Sequence, residues 1–340
     1  MTETAHRRQV VARWLFVICA MVFVMVMLGG VTRLTESGLS IVNWRPATGW
    51  LPPLSAAEWQ ALFDLYKNSP EFQEVNSWMT VADFKSIFWM EYLHRLWGRL
   101  IGIAYFVPMV FFVLRGYVDR SLTPKLVFMF VLGGFQGVLG WYMVQSGLVD
   151  QPDVSQYRLT AHLAAALIVY GYMFWVALGL MAPPPLTPVP AAQRRFALVL
   201  PALVFITLLS GGFVAGLNAG FTYNTFPLMD GRLVPDGAYG LTPWWRSAFE
   251  DIGTVQFNHR VLALTTFAVI VGFFLRARRH AGFLRPAHSL AGLAFVQVCL
   301  GIATLLLVVP TPLAALHQAV GVLVFTAALW TAHRATTAPA

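Results

Sequence analysis

Cysteine is almost absent from these 340 residues. The two present, Cys19 and Cys299, both lie inside apolar runs rather than in the segments between them. That excludes a disulfide framework as the basis of the fold, even where outer segments would permit oxidation. Charge is equally scarce: 11% of residues are Asp, Glu, Lys or Arg against 58% hydrophobic, and mean hydropathy is +0.65. So few charges cannot cover a water-soluble core of this size, which leaves an all-α polytopic membrane protein. Acidic residues are the scarcer sign, 15 against 23 Lys and Arg, for a formal net charge of +8. No basic and aromatic recognition module accompanies that surplus, so the expected partner is the lipid bilayer and no nucleic acid. The first apolar run is longer than a signal core and has no small-residue cleavage site before Thr32, so it is expected to stay as a helix.

A span needs roughly 20 mostly apolar residues to cross about 30 Å of hydrocarbon. Eight runs qualify, at approximately 11–31, 86–114, 125–145, 159–181, 196–217, 254–275, 287–308 and 313–332. With both termini cytoplasmic, more than half of the Lys and Arg fall on the cytoplasmic side, opposed there only by Glu3 and Asp119. This positive-inside pattern explains the basic balance as topology. The outer segment 33–85 is too long for a connector and is expected to cover something. Pro52-Pro53 and the amphipathic stretch Ala56–Tyr66 predict short surface helices within it. Trp44, Trp89, Trp244 and Trp245 read as an interfacial belt.

A Pro-rich cytoplasmic linker, 183–195, divides the chain into 1–182 and 196–340, and the second part repeats the signals of the first. Gly211-Gly212 mirrors Gly29-Gly30, His259 mirrors His94, Gln297 mirrors Gln136 and His317 mirrors His162, at offsets of 182, 165, 161 and 155 residues. Two pseudo-symmetric four-helix bundles follow, as parallel repeats.

Four of the eight histidines, His6, His280, His288 and His333, fall near Arg-rich cytoplasmic segments and read as solvated or interfacial. The other four, His94, His162, His259 and His317, lie within about two turns of the outer ends of their helices. Any one alone reads equally well as a hydrogen-bonded core residue. Four at one depth, two per repeat, point instead to axial ligands for two haems, with Gly-rich neighbours making room for the flat macrocycle. Arg95, Arg99 and Arg260 are candidate propionate contacts, with snorkelling at the interface as the plainer reading. The repeats differ at one place: Glu91 stands three before His94, whereas Gln256 stands three before His259. An amide cannot exchange a proton at neutral pH, so the first site reads as reactive and the second as a relay. The alternative is that Glu91 merely pairs with Arg95 or Lys85. At this level a non-catalytic di-haem cytochrome b remains the competing class, and a transporter with parallel repeats a third.

Gly29-Gly30-Val31-Thr32-Arg33-Leu34-Thr35-Glu36-Ser37-Gly38-Leu39-Ser40, Glu91-Tyr92-Leu93-His94-Arg95, Asn224-Thr225-Phe226-Pro227-Leu228-Met229-Asp230-Gly231, Asn258-His259-Arg260 and Leu316-His317-Gln318 stand in one chain. With these motifs the sequence resembles the haem A synthase family, of the mitochondrial and alphaproteobacterial type. The resemblance covers nearly the whole chain. It implies oxidation of the C8 methyl of haem O to a formyl group, giving haem A for cytochrome c oxidase. It also implies His94 and His162 on the substrate haem, His259 and His317 on a permanent haem b, and Glu91 as the catalytic carboxylate. The partners implied are haem O synthase, cytochrome oxidase assembly factors and an electron acceptor or donor. The implied setting is the inner (plasma) membrane, with the haem sites toward the periplasm. Some bacterial members carry a cysteine pair in the first outer loop; residues 33–85 here contain none.

Overall fold

The computed structural model describes residues 3–43, 48–148, 152–181, 189–278 and 284–337. Trp44, His280 and residues 183–188 of the linker lie outside them. In chain order the helices are α1 (Glu3–Leu34), α2 (Ala56–Tyr66), α3 (Pro70–Glu74), α4 (Val81–Leu114), α5 (Thr123–Gly147) and α6 (Gln156–Met181). They continue as α7 (Ala191–Gly216), α8 (Ser247–Glu250), α9 (Ile252–Ala277), α10 (Leu284–Leu306) and α11 (Thr311–Thr337), with 3₁₀ turns at Ala219–Phe221 and Trp244–Arg246. Eight of them, α1, α4, α5, α6, α7, α9, α10 and α11, are long and apolar enough to cross a membrane, one for each expected run. Among the described residues there is no strand, only a single isolated bridge between Met229 and Arg232.

The helices outrun the apolar stretches because polar residues continue them past the hydrocarbon. α4 begins at Val81, where Asp83 accepts from the Thr80 N–H at 2.9 Å and its hydroxyl at 2.7 Å and so fixes the first turn. His94 therefore lies nearly four turns from the start of its helix rather than the expected two.

α1 packs on α4 and α6, and α5 closes the ring by packing on α4 and α6. α7, α9, α10 and α11 repeat that ring, and the two meet where α6 and α11 lie against each other and against α7 and α1. α11 is the most enclosed span, with half of its apolar window buried, and α5 the least, with 6%. Ala319, Gly321, Ala327, Ala328 and Ala332 are buried on α11, and small side chains let helix backbones approach closely where lipid provides no hydrophobic drive. The Tyr170 and Thr326 hydroxyls are 2.7 Å apart across the α6–α11 contact. The same contact corrects one expectation. His333 is 3% exposed, its ring edge-on to Trp175 of α6 at 5.0 Å. His6 and His288 are exposed as expected.

Outside the spans, α2 covers the expected stretch. Ser55 accepts from the Glu58 N–H, and the Glu58 carboxylate accepts in return from the Ser55 and Leu54 N–H groups, a reciprocal capping box. Its inner face places Trp59, Phe63 and Tyr66 against Phe84, Phe88 and Tyr92 at the head of α4, fastening the loop over the bundle mouth. Glu71 on α3 is buried there, accepting from the Tyr66 hydroxyl at 2.9 Å, which itself accepts from Asn76 at 2.9 Å. Burial first, then the fields of Glu91, Glu36 and Asp153, push Glu71 up to about 7, with the Tyr66 hydrogen bond opposing. Between the ordinary carboxylate range and pH 7 the folded loop thus holds a proton that the unfolded loop releases, so its stability falls as pH rises through that window. Hydrogen-exchange protection of 56–76, corrected for intrinsic rates, is expected to be greater at pH 5 than at pH 8. Glu71→Gln should flatten the difference, and protection that rises with pH contradicts the assignment.

Candidate functional site

All four outer-end histidines sit on glycine. A Cβ on Gly29 of α1 would stand 3.2 Å from His94 Nε2, and one on Gly140 of α5 would stand 3.4 Å from His162 Cε1. In the second ring a Cβ on Gly211 of α7 would stand 3.2 Å from His259 Cε1, and one on Gly301 of α10 would stand 2.8 Å from His317 Cε1. The four contacts repeat with the spacing of the motifs, each ring resting on the helix beside its own. Each ring of helices thus carries two of the four, His94 and His162 in the first and His259 and His317 in the second.

The second glycine of each pair serves a different contact. Gly30 receives the side chain of Gln318 from α11, and Gly212 receives Thr160 and Leu163 from α6, so these glycines let the two rings approach. One Gly-Gly dipeptide thus faces its own ring's histidine with one residue and the other ring with the next.

Glu91 is 2% exposed and fully engaged. One oxygen accepts from Ser40 Oγ and the Ile41 N–H, each at 2.7 Å; the other accepts from Arg95 Nε at 3.0 Å and Nη2 at 2.5 Å. Arg95 also donates to the carbonyls of Ile41 and Asn43. The second ring repeats the arrangement. Arg260 donates to the carbonyls of Tyr223 and Thr225, 182 residues after Ile41 and Asn43, while Gln256 Nε2 donates to Tyr223 O at 3.2 Å. Arg260 also reaches Leu228 O at the turn Asp230-Gly231, whose positive φ angles of 48° and 86° suit that dipeptide. Arg99 donates to Thr48 O at 3.1 Å and lies over the Trp50 ring. All three candidate propionate arginines thus hold outer-segment backbone, and the pairing of Glu91 with Arg95 is present.

Several groups at this depth are built to receive something. His162 Nδ1 and His317 Nδ1 are buried without a hydrogen-bond partner, as are both polar atoms of Gln136 and the Gln256 carbonyl oxygen. Buried polar atoms ordinarily find partners, so unsatisfied imidazoles seated on glycine suit an axially ligated flat group. Among the described residues no three His, Cys, Asp or Glu side chains cluster, so the histidine pairs are the donor sets available.

Ser40 and Ile41 escaped the sequence reading, because hydrogen bonds to Glu91 across some 50 residues leave no periodic trace. So did Ser210, whose hydroxyl lies 2.8 Å from His259 Nδ1 and orients that ring. The signal for Ser210 was there to read: Ser210-Gly211-Gly212 stands against Leu28-Gly29-Gly30, a hydroxyl in one repeat only.

The family model for the cytochrome oxidase assembly protein matches residues 12–329. A "Heme A synthase" of Nitrosospira multiformis is 53% identical over 329 residues, covering 95% of this chain and 92% of that protein. That of Paramagnetospirillum magneticum is 50% identical over 341 residues, with 98% and 95% covered. Human "Heme A synthase COX15" is 46% identical over 334 residues, with 95% and 82% covered. On matches of this length and identity, the chain belongs to the haem A synthase family of cytochrome oxidase assembly proteins.

Proposed function

We propose that this chain oxidises the C8 methyl of haem O to a formyl group, supplying haem A to cytochrome c oxidase from the inner membrane. In this reading residues 1–182 and 196–340 are pseudo-symmetric four-helix bundles joined by the linker 183–195. Both termini are cytoplasmic, and both sites open toward the periplasm. His94 and His162 hold the substrate haem; His259 and His317 hold a resident haem b.

The observation that carries the reading is the exchange of a carboxylate for an amide at one place in a largely repeated frame. Histidines, glycines and loop-holding arginines match between the halves, but a carboxylate stands at 91 and an amide at 256. A carrier with two equivalent sites has no use for that difference. Oxidising methyl to formyl with a water oxygen removes four electrons and releases four protons. A bound haem b supplies one-electron transfer, toward a one-electron acceptor outside this chain. Glu91 is held one helical turn outward of His94 by four donors, and as an acceptor-only anion it takes a proton at the reacting carbon or from the attacking water. Arg95 balances its charge and fixes both its direction and the loop above it. Arg99 and Arg260 hold the adjoining segments, which exclude water from the two mouths. Where the substrate's propionates reach this rim, the same guanidinium groups are the cations available to them.

Haem extraction from site variants tests the assignment. With haem O synthase co-expressed, His94→Ala is expected to keep haem b and lose haem O and haem A, and His259→Ala to lose haem b. The same haem loss from both variants would contradict two separate sites. Haem O synthase and oxidase assembly factors are the expected partners, since the farnesyl-bearing substrate and product partition into lipid rather than water.

A further inference from the structure

Gln318 follows His317 on α11, and its amide leaves its own ring. Nε2 donates to the Val26 carbonyl on α1 at 2.8 Å, and the side chain fills the place where Gly30 has no Cβ. Val26 precedes by three residues the Gly29 on which His94 rests, about 4.5 Å along the helix. A short run of bonded and packed atoms therefore connects the residue beside one histidine pair to the wall of the other. The repeat supplies a control within the same molecule. Leu163, which follows His162 as Gln318 follows His317, packs a methyl group on Gly212, beside the Gly211 that carries His259. The connection is a directional hydrogen bond in one direction and a slippery apolar contact in the other.

We propose that Gln318 is a positioning residue that couples the two histidine pairs, so that occupancy of the His94–His162 site alters the energetics of the His259–His317 site. The proposal rests on the two-haem reading above. A group seated between His94 and His162 bears on the Gly29 face of α1; the Val26 carbonyl moves with that face, and Gln318 passes the displacement to the backbone of His317. Coupling of this kind is reciprocal: the oxidation state at the second pair must change affinity at the first by the same factor.

The test is the midpoint potential of the haem held by His259 and His317 in the full-length protein, measured with the first site filled and, in His94→Ala, empty. With Gln318 present, emptying the first site is expected to shift the potential by at least the equivalent of a fivefold coupling, about 40 mV for a one-electron couple. In Gln318→Leu, which copies Leu163, the shift should vanish while haem b content and the bis-histidine spectrum stay as in the parent. Gly30→Ala places a methyl where the Gln318 amide sits and should also uncouple the sites, which keeps the test decisive if Gln318→Leu is poorly made. A shift that survives both changes, or no shift with Gln318 present, overturns the proposal. Loss of the functional reading looks different: no second haem that depends on His94 would be found at all.

Discussion

Replacing Glu91 with Gln is expected to leave a folded protein that retains haem b and accumulates haem O. Its haem A yield should fall by about 10²–10⁴, the usual weight of a positioned proton acceptor. The fold should survive because the second repeat already carries an amide in the corresponding place, with Gln256 Nε2 bonded to the loop at Tyr223 O. The substitution is not free of cost. Glu91 faces only donors, so one amide end must meet Ser40, Ile41 or Arg95 N–H or O–H groups without accepting, a loss of roughly 1–3 kcal/mol. That cost loosens the loop and does not select between haem O and haem A. Chromatography of extracted haems separates the two effects: loss of all first-site haem signals a disturbed loop, whereas haem O in place of haem A signals lost chemistry. Unchanged haem A would make Glu91 an anchor and favour a di-haem carrier.

Gly301→Ala should strip haem b from the second bundle. Its Cβ would stand 2.8 Å from His317 Cε1, closer than real Cβ contacts come, so the ring must turn out of line. Ala is the better helix former by about 1 kcal/mol, so any loss cannot be charged to a weakened α10. At least a tenfold fall in retained haem b is expected, the scale of disturbing a ligand's orientation. Gly292→Ala, on the same helix with nothing within 4 Å of the added methyl, should retain haem fully. Equal haem content in the two variants would mean that His317 is not a ligand.

Much of this arrangement was written plainly in the chain. Hydropathy placed all eight spans, since a 20-residue apolar run has only one economical solution in lipid. The amphipathic pattern of Ala56–Tyr66 gave α2 to the residue, and the repeat spacing paired the histidines. What escaped were contacts that join distant residues. Periodicity says nothing of Ser40 and Ile41 closing on Glu91, or of Arg95 and Arg260 holding segments some 50 and 35 residues away in sequence. The arginines near His333 suggest solvent, whereas Trp175 on another helix packs against its ring. Gly29-Gly30 is visible in the sequence as a pair that Gly211-Gly212 repeats, but only the fold shows that its two members serve different rings.

The central claim is that the first bundle is a reaction site and the second is not. Its most direct test is chromatography of haems extracted from the purified wild-type protein co-expressed with a haem O synthase. The account predicts haem b together with haem A. Haem b alone, with no haem O or haem A in the first bundle, would contradict it and leave an electron carrier.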